Sequence, residues 1–144
     1  MKNVAQVNQY LADLSVWNVK LHNLHFNVVG PQFKSIHEYL ESVYDVAFDY
    51  FDAVAEAVKM AGQFPLVNSK EYAALSKIEE LGQVDIPQAQ VIEILLNDFK
   101  YMKDQALAIR SAASEEDHFA LSNMMEDHVE YYVKQIWFIE SMLK

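Results

Sequence analysis

The chain of 144 residues is long enough for one domain, spanning 1–144, with a substantial core, and its 52% hydrophobic and 22% charged residues exclude disorder and fibrous repeats. It has no Cys, which excludes disulfides, thiolate-bound zinc and cysteine nucleophiles, and its 3 Gly and 3 Pro are too few for a many-stranded β protein. The formal charge of −10, from 21 acidic against 11 basic side chains, opposes DNA phosphates and anionic membranes and favours cations as partners. The opening segment MKNVAQVNQYLADL lacks the apolar run of a secretory signal, and no stretch of about 18 apolar residues offers a membrane span. A cytoplasmic protein is expected.

Four long helices are predicted in chain order. The first runs from about Asn3 to Val29, with Val4, Val7, Leu11, Leu14, Leu21, Leu24 and Val28 at helical spacing, and Gly30-Pro31 stops it. Ser35 with Glu38 three residues on reads as a capping box opening the second helix. Its core stripe is Ile36, Leu40, Val43, Ala47, Val54, Val58 and Ala61, ending at Gly62. A connection with its own short helix, Ser69 to Ser76, leads to Pro87 in the first turn of the third long helix, which runs to about Ala113. Ser114, followed by Glu115, Glu116 and Asp117, is expected to start the fourth. One long connection between two short ones is the layout of an all-α, ferritin-like four-helix bundle with a short extra helix between helices 2 and 3.

Chemistry concentrates on the second helix and just before it, at His25, His37, Glu41, Asp52 and Glu56. With His37 set at 0° on a helical wheel, Glu41 falls at about 40°, Asp52 at about 60° and Glu56 at about 100°, while the core residues cluster at about 240–300°. The polar stripe therefore points away from the subunit's own core. His37 and Asp52 are about 22 Å apart along one helix, too far to share a metal. A second copy of the helix lying antiparallel across a twofold axis would bring them together. His37 and Glu56 are equidistant from a point between Val46 and Ala47, and so are Glu41 and Asp52. Phe48, flanked by Tyr44 and Ala55, would supply apolar contact at that axis. Imidazole and carboxylate without thiolate suit Fe(II), Mn(II) or Zn(II). Any single His–acid pair four residues apart is ordinary on a solvated helix; the symmetric placement of all four is what points to a site.

The segment NLHFNVVGPQFKSIHEYLESVYDVAFDYFDAVAE, Asn23 to Glu56, resembles the signature of the Dps family of miniferritins, and the resemblance extends over essentially the whole chain. It implies a homododecameric cage built from twofold dimers, with a di-iron ferroxidase centre at each dimer interface. His25, His37 and Glu41 of one subunit would face Asp52 and Glu56 of its partner. The implied activity is oxidation of Fe(II) by hydrogen peroxide or oxygen and storage of ferric oxyhydroxide, which limits Fenton chemistry in oxidative stress; Zn and Mn would compete for the site. The chain departs from the family at Glu41, usually Asp, and at Phe26, usually Trp. Glu115, Glu116 and Asp117 resemble in position the acidic lining of the family's iron-entry pore, although acids at a helix start are expected from the macrodipole alone. His22 is an auxiliary candidate, or simply a surface histidine.

Two other functions compete. Some relatives coat DNA, but twelve copies of this chain would carry roughly −120, which disfavours direct DNA binding. The third is a structural bundle with an inactive or zinc-occupied site.

Overall fold

A computed structural model describes residues 1–144 as five helices and one two-residue strand pairing: α1 (Val4–Asn27), β1 (Val28–Val29), α2 (Phe33–Met60), α3 (Ser69–Leu75), β2 (Ile86–Pro87), α4 (Gln88–Glu115) and α5 (Phe119–Leu143). α1 packs most extensively on α2, and α4 on α5. The strands are parallel, with Val28 opposite Ile86 and Val29 opposite Pro87. Because β1 follows α1 and β2 precedes α4, the end of α1 and the starts of α2 and α4 share one end of the bundle. The segment between α2 and α4 must therefore return along the whole of α2, whose 28 residues rise about 42 Å. The ferritin-like layout expected from the connection lengths is the one observed.

The core runs down the bundle axis. Ile36, Leu40, Val43, Ala47, Val54 and Val58 of α2 are all buried, as the periodicity predicts, and face Val7, Leu11, Leu14, Leu21 and Leu24 of α1. Ala61 is only half-buried, because α2 ends at Met60 and the chain turns away through Gly62 at φ +81. A left-handed φ at this position suits glycine, which has no Cβ to clash.

Five predicted boundaries shift. α1 stops at Asn27, since Val28 is extended (φ −61, ψ 137) and its backbone joins β1. α2 starts at Phe33, two residues before Ser35; the Ser35 hydroxyl donates to the Gln32 carbonyl at 3.1 Å, so there is no capping box, and Glu38 instead lies 3.8 Å from Lys34 on the surface. Pro87 sits just outside α4 in extended conformation. The largest correction is at the last turn. α4 continues to Glu115 and α5 begins at Phe119, so Ser114 is no N-cap and the acidic residues close α4 rather than open α5. The Ser114 hydroxyl meets that of Ser122 at 3.0 Å, and Asp117 makes the turn at φ +55. The helix-start explanation of that acidic triplet therefore fails.

The crossover is tied down by polar side chains of α1. Buried Asp13 accepts hydrogen bonds from the Ser76 hydroxyl (2.9 Å), the Lys77 N–H (2.8 Å) and the Tyr101 hydroxyl (2.7 Å). Asn8 accepts the Leu66 N–H, and Asn23 donates to the Leu81 carbonyl. α3 starts at an Asn68 cap that accepts from the N–H groups of Lys70 and Glu71. No helix is long and apolar enough to cross a membrane.

Candidate metal centre

His25 leaves the last turn of α1 and His37 the first turns of α2, so the short Gly30–Pro31 connection brings them face to face. Their rings stack with centroids 3.6 Å apart and planes 13° from parallel. The hydrogen bonds are reciprocal: His25 Nδ1 lies 2.7 Å from the His37 carbonyl and His37 Nδ1 lies 2.8 Å from the His25 carbonyl. A carbonyl oxygen only accepts, so each Nδ1 carries a proton, and in the neutral ring this tautomer leaves the Nε2 lone pair free. Backbone carbonyls behind metal-binding imidazoles serve this purpose, fixing both tautomer and ring orientation. His25 is 5% exposed and His37 half-buried, with Phe33 stacked on the outer face of His37 at 5.1 Å.

The carboxylates lie where the helical wheel places them. Glu41, Asp52 and Glu56 are exposed, on the side of α2 opposite its buried stripe, together with Asp45, Phe48 and Asp49. Tyr44 orients its hydroxyl towards Glu41 at 3.4 Å, a long contact, and stacks against His22 at 3.8 Å. A hydrogen bond to Asp52, and then the Asp52 charge, hold the Glu56 carboxyl above its ordinary value. Two carboxylates thus crowd one another on a bare helix face, an arrangement that a cation relieves. Phe48 is 60% exposed in the middle of the stripe.

Within one chain these residues fall into two separate groups. His25 and His37 are together; Glu41 lies one turn further along α2; Asp52 and Glu56 stand four to five turns away from His37, about 22 Å or more. No three His, Asp or Glu side chains of one chain converge enough to hold a metal ion. His22 donates its Nδ1–H to the Asn18 carbonyl at 2.7 Å, so its Nε2 is free as well, but its ring faces Tyr44 rather than His25. Sequence reasoning missed the reciprocal bonding of His25 and His37, for which a spacing of twelve residues gives no signal without the turn between them.

The acidic turn is elsewhere. Glu116 accepts the Lys2 N–H at 3.0 Å and lies 3.8 Å from His118 Nδ1; Glu115 and Asp117 are exposed. Trp137 is 63% exposed on α5 and takes no part in the core.

Residues 4–144 match the ferritin-like domain family. The chain is 31% identical over 139 residues to antigen TpF1 of Treponema pallidum, covering 96% of this chain and 78% of that protein. It is 30% identical over 143 residues to the DNA protection during starvation protein 2 of Bacillus anthracis, covering 99% and 97%. The crystal structure of a Dps protein from Bacillus brevis superposes with a TM-score of 0.93 at 29% identity, covering 98% of this chain and 94% of that one. The chain belongs to the Dps branch of the ferritin-like family.

Proposed function

We propose that two copies of the chain pair through α2 about a twofold axis and build two ferroxidase centres. Each takes His25, His37 and Glu41 from one subunit and Asp52 and Glu56 from the other. The observation that carries this reading is the reciprocal bonding of His25 and His37, which leaves two Nε2 lone pairs at one end of an exposed acidic stripe. The donor set fits iron: imidazole nitrogen and carboxylate oxygen bind Fe(II), and several carboxylates neutralise the Fe(III) that forms. Membership of the ferritin-like family supports the same metal.

Iron is here the substrate. His25 and His37 hold Fe(II) through fixed lone pairs, Glu41 adds charge on the same side, and the partner's carboxylates complete the shell from across the interface. Two Fe(II) ions give one electron each to hydrogen peroxide, which leaves as two hydroxide ions, so no hydroxyl radical is released. The ferric product is stored as oxyhydroxide in a twelve-subunit cage. Glu115, Glu116 and Asp117 would attract Fe(II) on its way in. The charge of −10 per chain opposes direct contact with nucleic acid, so any protection of DNA would come from removing iron and peroxide.

The test is anaerobic loading with Fe(II) followed by peroxide, read by ferric absorbance, for wild type, His37→Ala and Asp52→Ala. Fast oxidation in wild type and its loss in both variants is expected. Equal rates in all three would sink the ferroxidase reading and leave the stripe to assembly alone.

A further inference from the structure

A second cluster of polar aromatic groups lies inside the bundle, away from the candidate iron site. Tyr10 of α1 and Tyr132 of α5 are fully buried, and His128 of α5 is 2% exposed. The Tyr10 oxygen is 2.5 Å from the Tyr132 oxygen and 2.8 Å from His128 Nδ1. Burial pushes the His128 imidazole down to about 3, so it is neutral, and raises both phenols. Only one polarity uses both hydroxyl protons: Tyr132 donates to Tyr10, and Tyr10 donates to His128 Nδ1. Tyr50 of α2 lies flat on His128, with centroids 3.5 Å apart and planes 8° from parallel. Its ring and that of Tyr131 are 6.1 and 5.9 Å from Tyr132. Tyr50 and Tyr131 are half-buried, so they join the closed cluster to the surface.

No substrate can touch Tyr10, Tyr132 or His128, which removes ordinary nucleophilic or acid–base roles. Electron transfer needs no such contact. The geometry points to Tyr10, hydrogen-bonded between Tyr132 and His128, as a proton-coupled one-electron donor that quenches strong oxidants of the hydroxyl-radical class reaching Tyr50 or Tyr131. The oxidant takes one electron and leaves as hydroxide. The resulting hole passes between the touching rings to Tyr132 and Tyr10. An oxidised phenol is a very strong acid, so the Tyr10 proton moves along its existing hydrogen bond to Nδ1. The products are a neutral Tyr10 radical, an imidazolium at His128 and hydroxide. The Tyr132 hydroxyl, still donating to the Tyr10 oxygen, stabilises the radical, and complete burial of the Tyr10 ring shields it. A soluble thiol or ascorbate-class reductant returns the electron through Tyr50 or Tyr131, and His128 returns the proton.

This proposal does not depend on iron binding, and iron-free assembled protein tests it. A photo-excited ruthenium tris-bipyridine complex with a sacrificial acceptor supplies the oxidant. Transient absorption and freeze-quench electron paramagnetic resonance read the tyrosyl radical. Wild type should give a long-lived radical that forms more slowly in deuterated buffer. Tyr10→Phe, which removes one oxygen and little volume, should lose the long-lived signal. Tyr101→Phe, outside the cluster, should keep it. Absence of the radical in wild type, or an equal yield and lifetime in Tyr10→Phe, would overturn the proposal.

Discussion

The two long faces of α2 are built from the same helix and behave oppositely. On the inner face Leu40, Val43, Ala47, Val54 and Val58 are sealed against α1 and the rest of the core. On the outer face Glu41, Asp45, Phe48, Asp49, Asp52 and Glu56 stand open. The inner face is finished by one chain, because apolar burial needs only neighbours already supplied by the bundle. The outer face is unfinished: its carboxylates repel one another and its central phenylalanine lies in water. A face of that kind calls for something outside the chain, and the proposed second copy of α2, together with iron, would account for both the apolar centre and the charged ends.

The largest effect expected on this contrast is at Phe48. Phe48→Asp should leave the helical signal of the subunit intact and abolish pairing, read as a drop in mass by sedimentation; an unchanged mass would show that the outer face does not pair. Next is Leu40→Ala, which opens a cavity in the inner face and should cost about 2–5 kcal/mol in denaturant unfolding. At neutral pH the effect of His128, packed under Tyr50 on the inner side, is smaller, and it grows as pH falls. Its folded value is about 3 against an ordinary 6.5, so the unfolded chain takes up a proton that the folded chain refuses. Stability from this group is complete above about 6.5 and is lost as pH falls towards about 3, at about 1.4 kcal/mol per unit. In unfolding measured across that range, His128→Phe should flatten the slope by this amount. Smallest is Glu41→Gln, one residue from Leu40 on the open face. It should leave the thermal midpoint of metal-free protein unchanged while weakening iron uptake, measured by calorimetric titration.

Much of this was legible in the residues. Apolar spacing located the inner stripe of α2 and, by subtraction, the outer one, since periodicity reports burial directly. Helix ends were less legible. Ser35 looks like a cap but spends its hydroxyl on Gln32, and Glu115–Asp117 look like a helix start but end α4. In both places backbone geometry, set by the neighbouring turn, outweighed side-chain preference. The pairing of His25 with His37 and the cluster around His128 were invisible, because both join residues from different helices and hydrophobic patterns carry no information about which polar atoms meet. His128 in particular lies between Met125 and Tyr132 on a stripe that reads as ordinary core.

The central claim is that each iron site is shared between two subunits, and co-assembly of two inactive variants tests it most directly. A mixed dimer of His37→Ala and Asp52→Ala subunits places both defects in one site and leaves the other with intact His25, His37, Glu41, Asp52 and Glu56. Each variant alone should oxidise Fe(II) slowly with peroxide, and co-expressed chains should recover a substantial part of the wild-type rate. Failure of the mixture to exceed either variant, with both chains present in the same assemblies, would contradict the shared site.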